Sequence, residues 1–363
     1  MPACTGSFRA LLLYDIAEEI DLAALRGILS AEQPARSPGF KLPAPEYVRF
    51  ERPPVPVRSE PIELATGEMA EARLRYFDYG VVSLEVEMHF AADWPEVIAL
   101  SHRWIEAGEV EKRSLKAVRM HVSGVMSALR KPYPEWLDEA YYVVTFHDVR
   151  DAFGNLLTGA QLIAQHGREI GQVIRGETQP LSEREEHEVL ASSMSYYASD
   201  VLVVGWQAAI VYDSPEGAAP VIELLEYANT QLLEYRRYDE ILTNLLRDAR
   251  ESLEHRAGFF SRWRLARAAE HLNRLRLETM ELTERTDNAI KFLSDMFYAR
   301  AYRMAAAKVG AHDYRTLVDQ KLHAAGELYE FMVNEFREAR GFVLEVLVIV
   351  ILVIELIPLF RGR

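Results

Sequence analysis

Six arginines, Arg256, Arg262, Arg264, Arg267, Arg274 and Arg276, fall between positions 256 and 276 against one acid, Glu270. At helical spacing Arg264, Arg267, His271 and Arg274 share one face, flanking a line through Leu265 and Leu272. Clustered guanidinium groups bind phosphate, so this face suits anionic lipid or RNA. It suits equally the solvated outer side of a coiled coil, and both readings stand.

Other residues able to do chemistry are scattered. His147 and Asp148 follow a β-rich run, and His187 lies within Glu185-Glu186-His187-Glu188, so nitrogen and oxygen metal ligands are present. No ligand spacing repeats, and the acidic stretch reads as solvated, so no metal site is assigned. The chain has no Gly-x-Gly-x-x-Gly, phosphate loop, His-Glu-x-x-His or Gly-x-Ser-x-Gly. No catalytic or cofactor-binding residue is therefore assigned, no cofactor is expected, and the chain reads as non-enzymatic. Tyr235, Tyr238 and Leu242 share a helical face, which reads as packing with Asp239 paired to an arginine.

The elements that position these groups come from composition and periodicity. With 363 residues, 49% hydrophobic and 26% charged, the chain has ordinary globular composition and room for two structural units. A net charge of -14 disfavours nucleic-acid binding over the whole surface, and one cysteine, Cys4, excludes an internal disulfide framework. The opening residues turn acidic at Glu18, Glu19 and Asp21 and predict neither a signal nor a transit peptide.

Residues 8–14 predict a strand and 21–29 a helix. Over 82–90, Val82, Leu84, Val86, Met88 and Phe90 alternate with Ser83, Glu85, Glu87 and His89, which predicts a strand with one wet face. Residues 94–104 and 155–174 predict helices, and 141–146 and 200–212 predict strands. This order predicts an α+β fold, with an N-terminal ferredoxin-like α/β sandwich over 1–214.

From about Pro215, Gly and Pro nearly vanish. Leu265, Ala268, Leu272, Leu275, Leu282, Ala289, Leu293 and Met296 form one seam, and Tyr314, Val318, Leu322, Ala325, Tyr329, Met332 and Phe336 form another beyond Gly310. The two predict a long antiparallel helical hairpin within 215–340, with Leu277, Met280 and Phe297 outside the seam and available for homo-oligomer formation.

Residues 342–360 are almost wholly apolar and span roughly 28 Å as a helix, close to a bilayer core. Glu345 and Glu355 lie off its centre, where their cost is outweighed by the apolar residues around them. Residues 341–363 therefore read as a C-terminal hydrophobic, membrane-anchoring helix, with lipid as partner and the bulk of the chain on the cytoplasmic face. An apolar helix buried in an oligomer is the competing reading.

Several segments together resemble the required-for-meiotic-nuclear-division family: ALLLYDIAEEIDLAALRGIL, FDYGVVSLEVEMHF, LLEYRRYDEILTNLLRDARESLE and VLEVLVIVILVIELI. The resemblance spans nearly the whole chain and places Glu345 and Glu355 on two acids typical of that family. Glu85 and Glu87 depart from it, standing where the family carries mostly apolar residues. It implies a membrane-associated assembly protein and brings no catalytic residues. The functional expectation is a membrane-tethered, non-enzymatic scaffold that self-associates through its helices. The alternatives are an enzyme or nucleotide- or metal-binding protein using the α/β domain, or an RNA- or ribosome-facing adaptor.

Overall fold

Leu11, Leu12 and Leu13 stand consecutively, and successive side chains of a strand point to opposite faces, so a strand built on them needs cover on both sides. The computed structural model describes residues 4–29, 53–64, 67–106, 108–151, 153–254, 274, 277, 280, 296–328 and 330. In it β1 (Cys4–Ile20) runs through the middle of a nine-stranded sheet with helices on both faces.

The strands are β2 (Val55–Arg58), β3 (Ile62–Glu63), β4 (Met69–Tyr76), β5 (Val81–Ala92), β6 (Leu129–Val149), β7 (Ser193–Met194), β8 (Val201–Val204) and β9 (Ala208–Tyr212). Their order is β2-β4-β5-β1-β6-β9-β8-β7, with β3 paired to β4. Only β6 and β9 pair in parallel among these, and the chain between them contains α4 (Gly159–Arg175) and α5 (Glu183–Leu190). β1 lies antiparallel to both neighbours, with Leu11 opposite Glu85 on β5 and Tyr141 on β6.

Phe8, Ala10, Leu12, Tyr14 and Ile16 face one core, shared with α1 (Leu22–Leu29), α2 (Trp94–Ile105), α3 (Glu109–Gly124) and α4. α2 starts where Asp93 and Glu96 form a reciprocal capping box, and α4 starts on the same device at Thr158 and Gln161. Leu11 and Leu13 face a second core with Val81, Val143 and Leu202, closed by α6 (Pro215–Glu254) and α7 (Met296–Lys308).

Several expectations are corrected. The ferredoxin-like sandwich is replaced by this larger mixed sheet, because β1 and β6 are apolar on both faces and each face recruits its own helices. The stretch 200–212 is two strands, since Gly205 closes a tight turn by donating its N–H to the Ala208 carbonyl at 2.8 Å. Among the described residues no long hairpin of 264–300 against 314–336 is evident; most of its first arm, and its second arm beyond 330, lie outside them. Phe297, Tyr298 and Tyr302 on α7 are instead buried in the second core, whose apolar sheet face attracts the aromatic side chains.

Among the described residues no helix is long and apolar enough to cross a membrane. Even the 40-residue α6 carries charges along its length. The transmembrane anchor, the cytoplasmic-face location and the membrane-tethered scaffold are therefore unsupported. The segment on which they rested, 341–363, lies outside the described residues.

The chain divides into two units, Met1–Arg237 with Glu284–Tyr314, and Tyr238–Thr283 with Arg315–Arg363. Within the second, Lys321 Nζ bonds Asp239 Oδ1 at 2.5 Å and Thr243 Oγ1 at 2.7 Å. Val318, Leu322 and Leu242 are buried there.

Candidate functional site

Strand alternation puts Ser7 and Arg9 of β1, Arg75 of β4, Ser83, Glu85 and Glu87 of β5, and Thr145 of β6 on the face opposite Leu12. The face expected to be wet is in part covered: Ser83 is fully buried and Glu85 is 8% exposed. The covering helix, α6, turns a polar stripe toward it. Glu223, Glu226, Thr230, Glu234 and Arg237 follow one another at spacings of three and four, one face of a helix that is otherwise rich in Val, Ile, Leu and Ala.

Arg75 is the junction. Its Nη2 lies 3.1 Å from Glu85 Oε2, its Nη1 2.7 Å from Glu226 Oε2 and 3.7 Å from Glu223 Oε1. On the strand side Arg9 Nε is 3.2 Å from Glu85 Oε1, Arg9 also pairs with Glu87, and its Nη1 donates to Thr145 Oγ1 at 3.0 Å. The Ser7 and Thr145 hydroxyls are bonded at 2.7 Å. Four carboxyl groups, Glu85, Glu87, Glu223 and Glu226, thus gather around two guanidinium groups, Arg9 and Arg75.

The electrostatic consequence follows from burial. Desolvation pushes Glu223 up to about 7, with Glu226 and Glu85 adding to the rise and Arg75 opposing it. Burial also raises Glu226, against the pull of Arg75 and of Arg73. Burial works against the charge of Arg75, but Glu226, Glu85 and Glu223 outweigh it and raise its pKa. The arrangement can hold or release a proton near neutral pH.

Farther along α6, the Tyr79 hydroxyl donates to Thr230 Oγ1 at 2.9 Å. Arg237 pairs with Asp15, donates to the Glu135 carbonyl at 3.1 Å and lies 4.3 Å over the Tyr133 ring. Arg236 donates to the Asp138 carbonyl at 3.1 Å and pairs with Glu139. These arginines engage β6 beside a register shift, where Leu137 pairs with Asp15 and Pro132 with Ala17.

The residues singled out by sequence fall elsewhere. Arg264, Arg267, His271, Glu345 and Glu355 lie outside the described residues, while Arg274 is helical and exposed. His147 Nδ1 is 3.1 Å from the Asp213 carbonyl oxygen, Asp148 pairs with Arg150, and His187 is on α5. Among the described residues no group of three His, Cys, Asp or Glu could hold a metal. Asp239, expected to pair with an arginine, pairs with Lys321 because Arg236 and Arg237 are taken by Glu139 and Asp15. The Arg75–Glu226 junction was missed. Its signal was the polar stripe along α6, which by itself looks like a solvated face.

Fold and site define a mixed-sheet α/β domain, helix-covered on both faces, with a charged seam beneath one long helix. The chain belongs to the family described as Uncharacterized protein MJ0711, N-terminal domain, which matches residues 5–219. The uncharacterized protein MJ0711 of Methanocaldococcus jannaschii is 19% identical over 232 residues, 64% of this chain and 69% of that protein. No solved structure matches. The required-for-meiotic-nuclear-division resemblance is thereby corrected: the family that matches is a different one, and the resemblance drew part of its pattern from the apolar close outside the described residues.

Proposed function

We propose that this chain is a proton-responsive binding protein in which the sheet domain holds the first half of α6 and the hold depends on the charge of the seam. The observation that carries this reading is the imbalance at Arg75, where Glu85, Glu223 and Glu226 converge on one guanidinium and Glu87 is added through Arg9. Protonated, Glu223 adds no charge to the seam; ionised, it adds a negative charge beside Glu226 and Glu85, in a layer where Glu226 is only 2% exposed. Like charges in poor solvation repel strongly, so losing the proton loosens the helix.

α6 continues past Arg237 into the second unit, so the docked half and the first residues of that unit belong to one helix. Hydrogen exchange of peptides covering 218–235, at about pH 6 and about pH 8, tests this after correction for intrinsic exchange rates. Protection should fall at the higher pH in the unaltered chain and stay level in Glu223→Gln. The same pH response in both proteins would sink the proposal.

A further inference from the structure

The two sides of β6, a strand of 21 residues, are not equally occupied. One side pairs with β1 along most of its length, whereas on the other β9 pairs from Tyr142 to Phe146. Tyr142 donates its N–H to the Gln207 carbonyl at 2.9 Å, and the Phe146 carbonyl accepts from Asp213 at 3.1 Å. The backbone groups of these even-numbered residues therefore point away from β1. Pairing with β1 is regular from Leu137 to Tyr142, which carries the same direction back to Ala140 and Asp138. Among the described residues nothing bonds the N–H and carbonyl of Ala140 or the N–H of Asp138. The Asp138 carbonyl is taken by Arg236 of α6 at 3.1 Å. The sheet thus has a short open edge, stopped by one arginine.

We propose that a partner protein adds an extended, basic segment to this edge of β6, and that docked α6 blocks the addition through Arg236. An open edge is a template for a further strand, and main-chain bonds along it supply affinity. The charge beside it selects the sequence. Burial pushes the Glu139 carboxyl up, Arg236 opposes this, and Asp138 and Glu111 add to it, so three carboxyl groups border the edge. Asp138 and Glu139 are consecutive and so lie on opposite faces of β6, where alternate side chains of an added strand would meet one or the other. A second copy of this edge fits poorly, because it sets these acids against their own equivalents. Arg236 holds both acceptors while α6 is docked, bonding the Asp138 carbonyl and pairing with Glu139. The inference rests on the proton-responsive reading for its trigger: loss of the Glu223 proton, among Arg75, Glu226 and Glu85, loosens α6 and withdraws Arg236.

Titration calorimetry of the full chain with an end-blocked peptide of alternating lysine and valine is the test. At about pH 6, Arg236→Ala should bind it roughly tenfold more tightly than the unaltered chain, since one competing charged hydrogen bond is gone. The same peptide with every backbone nitrogen methylated keeps its charge but cannot pair, and should not bind. Adding Ala140→Pro to Arg236→Ala should abolish binding with an unchanged circular-dichroism spectrum, because the N–H it removes is one that β1 does not use. The unaltered chain should bind more tightly at about pH 8 than at about pH 6, and Arg236→Ala should show no such difference. Binding by Arg236→Ala without a pH difference in the unaltered chain upholds the edge and refutes the proton trigger alone. Equal binding of the methylated peptide, an Arg236→Ala chain that binds nothing, or one that pairs with itself instead, would each overturn the proposal.

Discussion

Arg75 of β4 and Glu226 of α6 meet 2.7 Å apart across the boundary between sheet and helix. Strand register delivers the first and helical spacing the second. Neither side chain has much water to fall back on, Arg75 being 14% and Glu226 2% exposed. Such a pair adds little net stability over a well-packed apolar contact, yet breaking it from one side is costly.

Arg75→Met therefore leaves a buried carboxylate without its cation and should lower stability by roughly 3–5 kcal/mol near neutral pH. Denaturant unfolding reads this directly. The loss should shrink as pH falls, because Glu226, already raised by burial, takes up a proton in the variant. A deficit that is flat with pH would mean that Glu226 is not the group left behind.

Glu223 sets the pH dependence. Its folded pKa is raised from 4.5 to about 7, so its contribution is fully present below the unfolded value and is lost as pH rises through the folded one. Glu223→Gln should accordingly raise the melting temperature above that of the unaltered chain at about pH 8 and change little at about pH 5. Its side chain is 34% exposed, so solvent damps the effect to a modest shift. Thermal melts across that range check it, and a larger gain at the acid end contradicts the sign.

Tyr79→Phe removes the hydroxyl that reaches Thr230 at 2.9 Å and should cost about 0.5–1.5 kcal/mol. Because the bond ties the turn after β4 to α6, exchange should rise in the helix as well as in the turn. Loosening confined to the turn would show that the bond does not hold the helix.

Gly80→Ala should be far more damaging. Gly80 has φ +96, and a Cβ there would stand 1.8 Å from the Ala17 carbonyl oxygen, a backbone atom that cannot swing aside. Strain and clash together predict a loss of roughly 3 kcal/mol or more. A near-normal melting temperature would show that the close approach of this turn to β1 is dispensable.

What the sequence by itself determined was local. The capping pairs Asp93 with Glu96 and Thr158 with Gln161 start α2 and α4, and the alternation from Val82 to Phe90 makes β5 two-faced. These features depend on neighbours a few residues away, within reach of a propensity or a period. What covers the charged face of β5 depends on a helix far along the chain, and periodicity reports that two faces differ without saying what lies against either. The stripe from Glu223 to Arg237 and the row Arg9, Glu85, Glu87 each read alone as solvated. Only the tertiary structure brings them together, because two polar surfaces that satisfy each other can be buried where either one alone would need water.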